Sequence, residues 1–179
     1  MTDQTPSPAT LSPTVLDRRF YHLASTETLE RFSLHGVKAL LTLYLIDHVL
    51  VGYTGAVLGL VSTRSMLEAL SGPLTPLALA SQLYGLYAAL SYLVMPIGGA
   101  IGDRVPGRQR AVVLGALLIA SGHLCLMRET LLLPALALLI AGTGCMKANL
   151  SAQVGALFPS GDSRRHRAFA VYLASSTSA

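Results

Sequence analysis

Five ionisable side chains, Glu27, Glu30, Arg31, Lys38 and Lys147, sit in stretches of sequence that are otherwise mostly hydrocarbon. A charge at the centre of a membrane helix costs about 2.5–3.5 kcal/mol on insertion scales, so five represent a burden on the order of 10 kcal/mol that packing alone does not offset. Such a set has chemistry to perform: pairing within itself, exchanging protons, or neutralising a charged solute. Glu27, Glu30, Arg31, Leu34 and Lys38 are spaced so that at 3.6 residues per turn they share one helix face, with Glu27 in reach of Arg31 at i, i+4. The alternative is a solvated charged cap at a membrane boundary, where Arg and Lys snorkel to water. That alternative suits residues 27–31, which follow a polar stretch. It suits Lys38 less well, one or two turns deeper between Val37 and Ala39.

The elements that must position these charges follow from composition. With 52% hydrophobic and 12% charged residues and a mean hydropathy of +0.55, the chain is too apolar for an ordinary soluble domain. Apolar runs at about 27–51, 77–101, 109–127 and 131–158 predict four membrane-spanning helices, and 165–179 predicts the beginning of a fifth. Each of the four is long enough to cross a hydrocarbon core of about 30 Å at about 1.5 Å per residue. The fold class expected is an all-α integral membrane protein.

Residues 1–20, rich in Thr, Ser and Pro and without an apolar core segment, predict a flexible tail rather than a signal peptide. Arg18, Arg19, Arg104, Arg108, Arg110, Arg164, Arg165 and Arg167 fall at one end of the expected helices, against Arg64 and Arg128 at the other. The positive-inside rule then places the N-terminus and the 102–110 loop in the cytoplasm and the 52–76 segment outside. The net charge of +4 reports this topology, and no nucleic-acid partner is expected. Cys125 and Cys145 lack metal-ligand or CxxC spacing and read as packing residues.

The stretch Ser25-Thr26-Glu27-Thr28-Leu29-Glu30-Arg31-Phe32-Ser33 resembles the E-x-x-E-R-F signature of the proton-dependent oligopeptide transporter family, a branch of the major facilitator superfamily. Three further segments agree in order: Gly98-Gly99-Ala100-Ile101-Gly102-Asp103-Arg104 with Gly107-Arg108-Gln109-Arg110, then Gly142-Thr143-Gly144-Cys145-Met146-Lys147-Ala148-Asn149, then 162–169 with Arg164 and Arg165. The resemblance runs from about Tyr21 to the last residue. It implies twelve helices in two six-helix halves with substrate held between them. The chain, ending at Ala179 within the expected fifth helix, then corresponds to helices one to four and the start of helix five of the N-terminal half. The C-terminal half of the transporter is an implied partner.

The activity implied is proton-coupled symport of di- and tripeptides across the cytoplasmic membrane, with the proton as coupling ion and no other cofactor or metal. By match to the family motifs, Arg31 and Lys38 receive the peptide carboxylate, and Lys147 pairs with Glu27 or Glu30 until a glutamate is protonated. Proton coupling thus falls on Glu27, Glu30, Arg31 and Lys147, because a carboxylate's affinity for protons falls beside a cation and rises on desolvation. Two carboxylates and three cations leave +1, which one peptide carboxylate neutralises. Tyr92 and Asn149 match substrate-contacting positions, and Asp103 with Arg104 matches a loop that latches one conformation, its glycines letting the second helix pack closely. The chain departs from the family pattern at four places: Lys38 stands for an arginine and loses its bidentate fork, Leu34 and His35 stand for tyrosines, Ala148 for a proline, and Thr177 for an asparagine. His35 reads as a packed or hydrogen-bonded histidine, and Tyr84 and Tyr87 as structural.

Three alternatives compete with this reading. A major-facilitator transporter of another small solute would share the fold but not the combination of Glu27, Glu30, Arg31 and Lys147. A truncated remnant would insert and carry nothing. An intramembrane enzyme would need a catalytic set, for which Ser151, four residues after Lys147, is the one candidate dyad. No enzymatic activity is expected.

Overall fold

The computed structural model describes residues 18–49, 57–104, 107–158 and 164–177, which are helical almost throughout and contain no strand. Helix α1 (Arg18–Tyr44) continues into a π-helical turn (Leu45–Val49). Then come α2 (Leu60–Ser71), α3 (Pro76–Arg104), α4 (Arg108–Cys125), a 3-10 turn (Glu129–Leu131), α5 (Leu132–Leu157) and α6 (Arg164–Thr177). Most of the expected tail, residues 1–17, lies outside the described residues, as do 50–56, 105–106, 159–163 with Asp162, and 178–179.

Helix α1 starts about nine residues before the expected boundary near residue 27. The polar residues ahead of Glu27 do not end the helix, because their hydroxyls back-bond to it: Ser25 and Thr26 both donate to the His22 carbonyl, and Thr28 donates to that of Ala24. Phe20 and Ala24 also occupy one face and are buried against α5 and α6, which rewards the extra turns. Helix α3 starts where its sequence signals it: Thr75 Oγ1 accepts the Ala78 N–H at 3.3 Å, and Pro76 occupies the first helical position. Gly107, at φ +78°, makes the turn into α4 that an L side chain would resist.

Helix α2 falls in the segment expected to be a plain outer loop. It is a short helix bounded by two glycines with positive φ, Gly59 and Gly72. Arg64 Nε and Glu68 Oε1 pair at 2.9 Å across one turn, and the Leu74 N–H also donates to that oxygen. The Arg64 hydrogen bond, then that of Leu74, holds the Glu68 carboxyl below the usual carboxylate range.

Helix α5 is the axis of the bundle, packed along its length on α3 and α4. Its contacts are made by glycines that bring backbones together. A Cβ on Gly142 would lie 2.7 Å from the Gly115 carbonyl oxygen of α4, and one on Gly144 would lie 2.5 Å from Val94 Cγ1 of α3. A Cβ on Gly98 of α3 would run into the carbonyl of Gly144. Small residues at helix crossings are the device that membrane bundles use to gain close packing.

Two apolar clusters lie at opposite ends of the bundle. One gathers Leu34, Leu41, Leu45, Leu83, Tyr87 and Leu139 among others, and the second gathers Phe20, Ala24, Leu150, Val154, Phe158, Ala168 and Tyr172. Glu27 and Glu30 are buried in α1 between them, whereas Leu29, Phe32, Leu40 and Leu43 of the same helix point outward. Charge inside and hydrocarbon outside is the reverse of a water-soluble fold. By length and apolar content, two helical segments among the described residues could cross a membrane, Pro76–Arg104 and Glu129–Leu157. Of the four expected spans, the other two are α1, which carries Arg18, Arg19, Glu27, Glu30, Arg31 and Lys38, and α4, which has 18 residues and opens with Arg108 and Arg110.

Candidate functional site: buried ion pairs beside a small cavity

Each buried glutamate of α1 has its own cation. Glu27 Oε1 accepts from Arg31 Nε at 3.2 Å, the i, i+4 contact that the spacing predicts. Glu30 Oε2 lies 3.5 Å from Lys147 Nζ of α5, a contact that only the tertiary fold can make. Side-chain exposures of 3% for Glu27 and 1% for Glu30 leave little water to compensate either charge, so these pairs bear most of that load. Lys147 lies within reach of Glu30 and not of Glu27, which resolves the two pairings left open by the sequence.

Arg31 and Lys147 also reach the wall of a cavity of about 40 Å³ between α1, α3 and α5, together with Lys38, Tyr87, Tyr92 and Thr143. Lys38 Nζ stands 5.8 Å from the centroid of the Tyr92 ring, a cation–π distance, and Tyr92 itself is largely exposed at the cavity edge. Tyr87, expected to be structural, is buried in the cluster with Leu34 and Leu83 and also lines the cavity. Thr143, which carries no signal in the sequence beyond its place in the helix motif, is buried with its hydroxyl unpartnered on this wall.

Other candidates lie elsewhere. Asn149 is 1% exposed and outside this cavity; its amide nitrogen donates to the Gly98 carbonyl at 3.0 Å and the Cys145 carbonyl at 2.7 Å. It ties α5 to α3, and Gly102 is small so that the Asn149 side chain can sit against it. Asp103 accepts from Arg108 Nε at 2.8 Å across the α3–α4 turn, with Arg104 exposed beside it. His35 Nδ1 is 2.9 Å from the Arg31 carbonyl oxygen, a local hydrogen bond. The Ser151 hydroxyl donates to the Lys147 carbonyl at 3.1 Å, while Lys147 Nζ is turned to Glu30.

Two polar contacts had no sequence signal at all. Ser33 Oγ and His123 Nε2 meet at 2.8 Å between α1 and α4, and His123 Nδ1 lies 2.8 Å from the Ile119 carbonyl oxygen. A carbonyl can only accept, so Nδ1 carries the proton, and in the neutral ring Nε2 accepts from Ser33. The Tyr172 phenol of α6 donates to Glu27 Oε2 at 3.1 Å.

An all-helical bundle whose central helices cross on glycines and enclose carboxylate–cation pairs beside a small cavity has the architecture of the N-terminal portion of a major-facilitator transporter. A model of the POT family matches residues 109–177. A di-/tripeptide transporter of Lactococcus lactis subsp. lactis (strain IL1403) is 37% identical over 154 residues, which is 84% of this chain and 28% of the relative. Peptide transporter YePEPT of Yersinia enterocolitica subsp. palearctica is 32% identical over 152 residues, 82% of this chain and 26% of the relative. Among solved structures, a mutant of peptide transporter POT in complex with sulfate superposes with a TM-score of 0.70 at 33% identity, covering 88% of this chain and 29% of that one. A POT family transporter in complex with 5-aminolevulinic acid gives a TM-score of 0.70 at 31% identity, over 89% of this chain and 29% of that one. The chain belongs to the POT family and corresponds to the N-terminal part of these relatives, a little over a quarter of their length.

Proposed function

We propose that this chain forms the N-terminal part of a proton-coupled di-/tripeptide symporter of the cytoplasmic membrane, with its N-terminus in the cytoplasm. The observation that carries this reading is the buried Glu30–Lys147 pair, whose lysine joins Arg31 and Lys38 on the wall of a small cavity. Protonation of Glu30 removes the counter-charge of Lys147 and frees its ammonium group for a new anion. A peptide carboxylate is that anion, received by Lys147, Arg31 and Lys38, and its binding costs least when Glu30 is neutral. Proton and peptide are thereby favoured together, which is the thermodynamic content of symport. Helices beyond those described supply the site for the peptide amine.

The test is uptake of a labelled dipeptide into proteoliposomes holding the protein expressed from its complete reading frame, with the outside medium more acidic than the lumen. Wild type accumulates the peptide against its gradient. Lys147→Ala abolishes that accumulation and keeps counterflow exchange measurable. Uphill uptake by the variant contradicts the coupling role, and absence of any peptide exchange by wild type contradicts the substrate.

A further inference from the structure

Glu27 has a second partner that the coupling scheme above does not use. Its Oε1 takes Arg31, and its Oε2 accepts from the Tyr172 phenol at 3.1 Å. Tyr172 is buried on α6 among Phe20, Ala24, Leu150 and Val154, so its hydroxyl is held at one place. The same phenol oxygen lies 3.3 Å from Ser151 Oγ of α5. Ser151 is exposed, one turn beyond Lys147. Two exchangeable hydroxyls therefore join the surface of the bundle to a carboxylate that water hardly reaches. Glu27 does not line the cavity that Arg31 and Lys147 reach, so a proton bound for Glu27 needs a path of its own.

We propose that Tyr172 and Ser151 form the route by which Glu27 exchanges its proton with water, Tyr172 acting as the positioning and relay residue for that carboxylate. The inference rests on the proton-coupled function proposed above. In the arrangement described, the Tyr172 hydrogen already lies on Glu27 and the Ser151 hydrogen on the Lys147 carbonyl. To load Glu27, Ser151 turns its hydrogen to the Tyr172 oxygen. The phenol O–H bond then breaks as the carboxyl O–H bond forms, the Ser151 hydrogen completes the phenol, and a hydronium ion restores the Ser151 hydroxyl and leaves as water. One proton enters, one carboxylate is neutralised, and nothing is oxidised or reduced. Unloading is the reverse. Among the described residues, Glu27 faces Arg31 and Glu30 on its own helix and Tyr172 from α6, while Lys147 of α5 is paired with Glu30. Neutralising Glu27 leaves Arg31 without its partner, so loading this carboxylate frees a second cation.

The experiment is a pH jump on the full chain in lipid nanodiscs, followed by time-resolved infrared absorption of the carboxyl group. The Glu27 band is assigned by its loss in Glu27→Gln. Tyr172→Phe keeps the ring and its packing, and is expected to slow protonation of Glu27 by about tenfold or more, as loss of a positioned proton-transfer group does. Ser151→Ala, at the exposed end and outside the apolar cluster, is expected to slow it too and keeps the test decisive if Tyr172→Phe does not fold. Unchanged rates in the variants overturn the route, including the case where Tyr172→Phe lowers only thermal stability. The band is read without peptide, so a protein that fails to transport still reports on the relay, and the two proposals fail separately.

Discussion

Lys38 and Lys147 carry the same charge in different surroundings. Lys147 is held against Glu30, whereas Lys38 has no carboxylate within ion-pair distance among the described residues and rests over the Tyr92 ring. Under the proposed peptide-transport function, Lys38 is therefore the cation that could receive a peptide carboxylate without first breaking an ion pair. A charge-assisted hydrogen bond contributes about 1.5–3 kcal/mol, so Lys38→Ala should weaken binding of peptides with a free C-terminus by about tenfold or more. C-terminally amidated peptides should lose much less. Equal losses for both classes, measured by competition against a labelled dipeptide, would make Lys38 a structural residue. At this scale the sequence announces the five charges, because ionisable groups in hydrocarbon are too costly to be incidental. It also announces Glu27–Arg31, a contact within one turn. Glu30–Lys147, Tyr172–Glu27 and Ser33–His123 join residues on different helices. A hydroxyl or imidazole that bonds across a helix interface leaves no periodic trace, which is why the sequence does not single out Tyr172 and His123.

At the scale of elements, the site depends on how closely α5 approaches its neighbours. Lys147 reaches Glu30 because α5 is held against α3 and α4 by direct contact of their backbones at Gly98, Gly115, Gly142 and Gly144. At Gly98 the obstructing atoms are all backbone, the Gly144 carbonyl and the Cys145 nitrogen, so no side-chain rotation relieves that contact. Gly98→Ala should accordingly cost about 1–3 kcal/mol, the range for overpacking a tight interface. Gly36→Ala, where an added Cβ meets nothing within 4 Å, should leave stability nearly unchanged or raise it slightly through helix propensity. Thermal aggregation in detergent, compared for the two variants, separates these outcomes, and equal midpoints would show that α3 can shift to accept a methyl group. The sequence foreshadows the small-residue packing of the second helix but does not identify the mate of each glycine. The early start of α1 and the whole of α2 were obscured by polarity. In α1 the Ser and Thr hydroxyls bond back to the helix rather than capping or breaking it, and in α2 the flanking glycines mark both ends of a helix too short to be found by span length.

Across the whole molecule, the distribution of charge bears on how the bundle enters the membrane. The alternation of α1, α3, α4, α5 and α6 brings the start of α1, the α3–α4 turn and the start of α6 to one end, with eight arginines in or beside those segments: Arg18, Arg19, Arg104, Arg108, Arg110, Arg164, Arg165 and Arg167. The α4–α5 connection at the opposite end carries Arg128, and α2 carries Arg64 paired to Glu68. Moving the eight-arginine end across a membrane against its potential would cost about 2.3 kcal/mol per charge at 100 mV, which supports the proposed orientation with the arginine-rich end in the cytoplasm. Gln109, exposed at the start of α4, should then face the cytoplasm, and Met127, exposed just past its end, should face outward. In a background of Cys125→Ser and Cys145→Ala, a membrane-impermeant maleimide added to intact cells should label Met127→Cys at once and Gln109→Cys only after permeabilisation. The opposite pattern would invert the topology. Because Ser151 belongs to the half of α5 that ends near the arginines, it would also place the Ser151 end of the relay on the outer side, and with it the release of the coupling proton on the wrong side for uptake.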